Sequence, residues 1–411
     1  MEKKEMELYV HIPFCVKKCN YCDFLSFSAD EETQQEYTKA LCRELEFYGE
    51  SSRDYHVSTV YIGGGTPSWL KEEYLASVME QIHRSFAIDK DAEISIECNP
   101  GTVTDHKFAV YRDSGINRLS IGLQSADNEE LKLLGRIHTK EQFLKMYALA
   151  RKNGFGNINI DLMYGLPGQT VEAYYRSLEQ VIRLKPEHIS AYSLIIEKGT
   201  PFYETYKFDV VKQDAGLRTD FLPTEEQICQ MTELTDKALK TMGYEHYEIS
   251  NYAKKGFACR HNIGYWKRTS YLGVGLGAAS LLDNIRYSNT RELYSYLEET
   301  RNIHGGIWQN PLPDGSVDEL FATNLHASAE RVSRNAQMEE FMFLGLRMIR
   351  GISRDEFQAA FQIPIEAVYQ DVMMRLMQEK LLEKREGRIY LTEKGQDVSN
   401  YAPVSYTHLR A

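Results

Sequence analysis

An α/β fold is predicted: a partial (β/α)6 barrel, followed by an α+β C-terminal region with a winged-helix-like module. Three observations predict it. Up to about residue 200, short runs rich in Val, Ile, Leu and Tyr alternate with helical patterns, the mark of parallel βαβ units. Several of those runs end in Gly, Pro or a single polar residue, at the strand ends where barrels of parallel strands collect their sites. Past residue 326, three helical patterns lead into a short strand pair.

The strand candidates are 7–14, 57–62, 93–97, 118–124, 158–164 and 189–195. Between them, residues 32–48, 72–84, 105–113, 140–152 and 171–184 carry helical patterns. Gln169-Thr170 offers a cap before Glu172. Residues 199–221 read as irregular and polar. Pro223-Thr224-Glu225-Glu226 then opens an amphipathic helix to about Met242. Residues 244–249 and 271–282 read as strands, the second interrupted by Gly273, Gly275 and Gly277. Residues 310–324 form a loop and a candidate boundary. Helices at 338–350, 355–361 and 365–379, with a wing at 387–392, make the last module, and 403–411 is an aperiodic tail. The expected units are 1–240, a barrel; 241–325, an extension; 326–400, the winged-helix-like module; and 401–411, the tail.

The 411 residues can bury a large core and fill two or more domains. Hydrophobic residues at 43% and charged residues at 26% suit a soluble globular chain. A net charge of −11 argues against non-specific binding to nucleic acid or to anionic lipid. The pattern 365–379 sits where a recognition helix would lie. It carries Glu366, Asp371 and Glu379 against Arg375 alone, which speaks against a phosphate reader. No apolar run reaches membrane-spanning length, and Met1–Glu7 has no signal-like apolar segment. Seven cysteines, an odd number, do not suggest a disulfide framework. A cytoplasmic, reducing location is expected.

The chemistry centres on Cys15, Cys19 and Cys22, spaced C-x3-C-x2-C just after an apolar run that ends at Pro13. Thiolates are the usual ligands of a [4Fe–4S] cluster, and four would fill it. Three leave one iron open to a substrate or cofactor atom. A zinc loop is the alternative, but zinc normally takes four ligands and no second Cys pair is present. Gly63-Gly64-Gly65-Thr66-Pro67 follows the next strand, where glycines allow close backbone approach and amides can cradle a ligand. Glu97, Gln124 and Asp161 belong to successive strands, and Arg136 could grip a carboxylate with two hydrogen bonds. Any one of these alone is more often a solvated surface residue. Their convergence on one barrel mouth is what points to a site.

Together, 9–15, 63–67, Gln124-Ser125 and 161–167 resemble the radical S-adenosylmethionine (SAM) family, in its branch of oxygen-independent coproporphyrinogen III oxidases and related heme chaperones. The resemblance covers nearly the whole chain. It implies a radical-SAM barrel over 1–240 and a HemN-type extension over 241–325. It implies a [4Fe–4S] cluster on Cys15, Cys19 and Cys22, and SAM contacts from Tyr9, Tyr21, Gly64, Gly65, Thr66, Glu97, Gln124, Arg136 and Asp161. Ile195 and Ala279 are implied as well, in surroundings that differ more from the family pattern.

Two departures separate the branches. The oxidases carry a fourth cysteine two residues past the third, where this chain has Phe24, and an extension ahead of the cluster, where this chain has 14 residues. Positively, His261-Asn262-Ile263-Gly264-Tyr265-Trp266 matches the HNxxYW motif of the chaperone (HemW) branch. An imidazole at His261 can ligate heme iron, and Tyr265 and Trp266 offer flat area to a porphyrin. The same residues are equally familiar as a core histidine beside aromatics, and Cys259 is a thiolate alternative. The resemblance therefore implies a heme chaperone that passes heme to an acceptor, expected to be a membrane respiratory protein, which allows peripheral membrane contact. The alternative is oxidative decarboxylation of coproporphyrinogen III.

Overall fold

Along the first six strands, apolar and polar residues alternate, and that alternation builds the molecule. The computed structural model describes residues 3–303 and 325–397. The strands β1 (Lys4–Ile12), β2 (Tyr55–Gly64), β3 (Ile88–Cys98), β4 (Arg118–Gln124), β5 (Ile158–Tyr164) and β6 (His188–Ser193) pair in parallel, each with the next in sequence. Met6, Leu8, Val10 and Ile12 of β1 are fully buried in the main core, as are Leu119 and Ile121 of β4 and Ile158 and Ile160 of β5. Residues of the other parity face inward: Glu97, Arg118, Ser120, Asn159, Asp161 and Ser190 line a cavity inside the barrel. Parallel strands buried on both faces usually read as continuous apolar runs. Here the polar set marks the interior as a site.

Helices α1 (Glu31–Ser51), α2 (Glu72–Ser85), α3 (Asp105–Asp113), α4 (Asn128–Leu133), α5 (Lys140–Lys152) and α6 (Val171–Leu184) connect the strands. Their starts are chemically set. Asp30 caps α1, Thr170 caps α6, and Thr139 with Gln142 forms a capping box on α5. The predicted barrel is thus present, with strand limits shifted by a few residues, as is usual at element ends.

After it come α7 (Pro201–Asp214), α8 (Glu225–Thr241), β7 (Glu245–Glu248), β8 (Asn251–Ala253) and α9 (Arg260–Trp266). Then follow β9 (Tyr271–Val274), β10 (Ala279–Leu282), β11 (Ile285–Asn289), α10 (Leu293–Glu299) and β12 (His326–Arg331). These strands widen the sheet on both sides to the order β12-β11-β10-β9-β1-β2-β3-β4-β5-β6-β8-β7. Strand β9 joins β1 in parallel, while β8 joins β6 antiparallel.

Two expectations fail here. Residues 199–221, read as irregular, contain α7. Thr200 caps it and Pro201 starts it. Phe202 and Tyr206, one turn apart, anchor it in a small core with Leu134, Met163, Leu166 and Leu222. The expected strand 271–282 is two strands. Gly275 and Gly277 at φ 103° and 66° turn the chain between them.

The C-terminal module holds α11 (Arg334–Gly345), β13 (Ile352–Ser353), α12 (Arg354–Phe361), α13 (Glu366–Gln378), β14 (Leu382–Arg385), β15 (Arg388–Leu391) and α14 (Glu393–Asp397). The wing has three strands, in the order β13-β15-β14. Met342, Phe357, Ile365, Leu376 and Ile389 form its own core. The expected loop 310–324 and tail 403–411 lie outside the described residues. No described helix is long and apolar enough to cross a membrane.

Candidate functional site

The three-cysteine loop leaves β1 at Pro13 and is tied down on both flanks. The Cys15 amide donates to Phe27 O at 2.9 Å, and Thr66 N donates to Phe14 O at 2.8 Å. On the far side Asn20 N donates to Leu134 O, Asn20 Nδ2 donates to Leu133 O, and Phe202 N donates to Asn20 O. Helix α7, missed in the sequence, is therefore part of the frame that holds this loop. Cys15, Cys19 and Cys22 all line the cavity, whose volume is about 400 Å³. Burial raises the thiol pKa of Cys15 and of Cys22. Among the described residues no three His, Cys, Asp or Glu side chains are gathered to hold a single metal ion. Three thiols that line one cavity suit three corners of a cluster. Gly65 fits the same picture, since a Cβ there would lie 3.0 Å from Cys15 Sγ.

The wall beside the thiols is polar and ordered. Gly64 has φ 120°, and a Cβ there would meet the His11 ring at 2.7 Å, so only glycine fits. Its amide donates to Glu97 Oε2 at 3.1 Å, and Tyr61 donates its phenolic hydrogen to Glu97 Oε1 at 3.0 Å. Burial, with Asp161 nearby, pushes the Glu97 carboxyl up to about 7. Burial also raises Asp161, which accepts from Asn159 Nδ2 at 2.7 Å. Gln124 ends β4 with φ 69° and accepts from Tyr192 at 2.9 Å. Arg136 donates to Asn99 Oδ1 at 2.7 Å and to Gly122 O at 2.9 Å, and its Nη1 lies 3.7 Å from Cys19 Sγ.

Tyr21, Gly64, Gly65, Thr66, Glu97, Gln124, Arg136 and Asp161 thus meet the three cysteines on one surface. Asp161 sits mid-strand rather than at a strand end. Tyr9 and His261 are not brought to that surface. The Tyr9 hydroxyl lies 2.9 Å from His11 Nδ1, and its ring stacks on Tyr61. His261 is 1% exposed. Its Nδ1 lies 2.7 Å from Thr59 Oγ1 and its Nε2 lies 3.1 Å from the Tyr265 hydroxyl. Burial first, and Arg118 second, lower its pKa to about 3, so the imidazole is neutral. Trp266 lies under the Arg347 guanidinium at 4.3 Å. Helix α9 is a plug in the barrel floor. The backbone amides of Arg260 and His261 at its start cap Glu93 of β3. Of the HNxxYW motif, Asn262 is the residue that lines the cavity. Ile195 is exposed and borders a second cleft, and Ala279 lies on β10.

Residue-by-residue reading missed Tyr61, Asn99, Arg118, Ser120, Asn159 and Tyr192 on the wall. Apart from Asn99, which follows β3, their signal was present in the strands, as polar residues spaced by two among buried aliphatics.

The chain matches the family model of the Radical SAM superfamily over residues 9–181 and that of the HemN C-terminal domain over 332–398. It is 35% identical over 400 residues to the heme chaperone HemW of Lactococcus lactis, covering 97% of each chain. It is 33% identical over 393 residues to HemW of Bacillus subtilis, covering 95% of this chain and 96% of that one. HemW of Escherichia coli is 39% identical over 274 residues, 66% of this chain and 69% of that one. In fold, the chain is similar to the coproporphyrinogen III oxidase HemN of E. coli, described as a radical SAM enzyme. The TM-score is 0.80 at 23% identity, over 99% of this chain and 91% of that one.

Proposed function

The chain belongs to the HemW family of radical SAM proteins, and from that premise we propose that it is a heme chaperone. It binds heme and a [4Fe–4S] cluster with SAM, and it delivers heme to acceptor proteins. The observation that carries the cofactor part is the loop with three thiols on a polar cavity of about 400 Å³ and an exposed Phe24 where a fourth cysteine would stand. Cys15, Cys19 and Cys22 would hold the cluster, whose remaining iron would take the amino-acid end of SAM. When bound, the cluster would offer redox-active iron beside SAM; one-electron transfer to SAM belongs to the decarboxylase alternative. Gly64, Gly65 and Thr66 would present backbone and hydroxyl groups to SAM, Glu97 and Asp161 would accept from its donors, and Arg136 would face its carboxylate. The acceptor fitting this reading is a heme-requiring membrane respiratory protein, reached from the cytoplasm.

Heme ligation by His261 requires the ring to leave Thr59 or Tyr265 and α9 to move from the floor. A Soret titration on anaerobic, cluster-loaded protein tests this reading. Wild type should shift the Soret band, and His261→Ala should weaken the shift. Equal binding by the two proteins assigns His261 a packing role only. No shift at all removes the chaperone reading. The same preparation should release no carbon dioxide from coproporphyrinogen III, and release would favour the decarboxylase instead.

A further inference from the structure

Asn99 follows β3 directly and lines the cavity. Its side-chain amide makes two hydrogen bonds of opposite sense. Oδ1 accepts from Arg136 Nη2 at 2.7 Å, and Nδ2 donates to Thr66 Oγ1 at 2.8 Å. Arginine has no acceptor, so the amide can face only this way. Beyond each partner stands a cysteine. Thr66 Oγ1 lies 3.3 Å from Cys15 Sγ, and Arg136 Nη1 lies 3.7 Å from Cys19 Sγ. One amide therefore sits at the middle of an arc that runs from Cys15 through Thr66, Asn99 and Arg136 to Cys19.

The residue that carries this amide is held by a closed ring of hydrogen bonds. Asn99 N donates to Ser68 Oγ at 3.0 Å, and Thr102 Oγ1 donates to Asn99 O at 2.7 Å. The Ser68 and Thr102 hydroxyls lie 2.6 Å apart. Thr102 gives its one hydroxyl hydrogen to Asn99, so Ser68 is the donor between them. Lys107, 7% exposed, clamps the ring by donating to Ser68 O at 2.8 Å and to Thr102 O at 3.2 Å. Pro100 disfavours the helical region for the Asn99 backbone. Together these contacts fix the direction in which the amide points.

We propose that Asn99 is a positioning residue that aims two hydrogen-bond donors at the sulfurs of Cys15 and Cys19, and so raises the reduction potential of the cluster they would hold. This role rests on the cluster proposed above for the three thiols. A thiolate bound to iron has no hydrogen to give, so the hydrogen between Thr66 and Cys15 must come from Thr66. The Asn99 amide occupies a lone pair of Thr66 Oγ1 and leaves the hydroxyl hydrogen for the sulfur. Its carbonyl anchors one Arg136 nitrogen while the other faces Cys19. Reduction adds negative charge to a cluster and its sulfurs, so donors aimed at them favour the reduced form.

The test is a potentiometric titration, followed by electron paramagnetic resonance, of the full chain loaded with cluster under anaerobic conditions and without SAM. At a fixed potential, Asn99→Ala should lower the ratio of reduced to oxidised cluster about tenfold, a fall of about 59 mV for a one-electron couple. Thr66→Val should lower it by less, because the Arg136 contact remains. Thr66→Ser keeps the hydroxyl and should hold the wild-type value. The double variant of Asn99→Ala with Thr66→Val should fall no further than Asn99→Ala alone, since both act on one hydroxyl. A cluster with the wild-type potential in Asn99→Ala overturns the role of Asn99 and leaves the cluster standing. So does a double variant whose fall is the sum of the two single falls. No cluster signal from wild type removes the cluster and this role together. Should Asn99→Ala not load, Asn99→Asp takes its place, since it keeps the acceptor for Arg136 and loses the donor to Thr66. Its effect must then be less than additive with that of Thr66→Val, whereas a charge acting alone adds in full and overturns the proposal.

Discussion

At Gly264 there is no room for a methyl group. A Cβ would lie 2.0 Å from Glu7 Oε1, on a carboxyl that is 2% exposed and that burial, first of all, pushes up to about 9. Gly264→Ala should lift α9 off the floor at a cost of about 1–3 kcal/mol. Thermal unfolding checks the cost, and a rise in the pKa of His261 by NMR would show that its burial is relieved. Glu97 gives a second prediction. With its carboxyl at about 7, wild type should bind SAM more tightly as pH rises through neutrality, because the ionised form accepts hydrogen bonds better. Calorimetric titration of Glu97→Gln should show weaker binding at pH 8 and a smaller pH dependence.

The elements added after the barrel are held by single buried polar residues on it. Glu44 of α1 accepts from Gly275 N at 2.8 Å, from Tyr296 at 2.6 Å and from Asn289 Nδ2 at 2.6 Å. It therefore ties the β9–β10 turn, β11 and α10 to one helix. Burial pushes its carboxyl up to about 7. The folded state then binds a proton that the unfolded chain has released above its ordinary value near 4.5. Stability from this group falls as pH rises from about 4.5 to about 7 and is level above that. Measured by chemical denaturation, Glu44→Gln should gain on wild type across that window. Constant relative stability would show that Glu44 does not titrate there. Helix α7 belongs to the same scale. Its cap, Thr200-Pro201, was readable, but its apolar contacts are confined to Phe202, Tyr206 and a few partners far away in sequence.

Across the whole molecule, the C-terminal module meets the sheet at Glu340 and, beside β7, through the backbone bonds Ile249 N to Arg347 O and Ile349 N to Tyr247 O. The Glu340 carboxylate accepts from Arg268 Nε at 2.7 Å and from Arg286 Nη1 at 2.9 Å. Burial alone would raise the Glu340 pKa, but the two arginines outweigh it and lower the value. Because the folded value is depressed, this tie is present above the ordinary carboxylate range and is lost as pH falls through it. Glu340→Gln should cost about 1–3 kcal/mol, with Arg286 one-third exposed and partly screened. Scanning calorimetry should then resolve a separate transition for the module, which has its own core.

The sequence by itself determined the barrel, because period-two alternation and helix caps are local properties that each segment carries alone. It determined the three-thiol loop and part of the polar wall for the same reason, since strand periodicity and glycine turns place those residues whatever packs around them. Tertiary structure alone decided the fates of Tyr9, His261 and Arg118. Whether an inward-facing side chain reaches open space depends on what fills the barrel floor. The filling is α9, whose seat is set by Glu7, Thr59 and Glu93 on strands far away in the chain. No local pattern records such a contact, because its energy exists only once the strands have assembled around it.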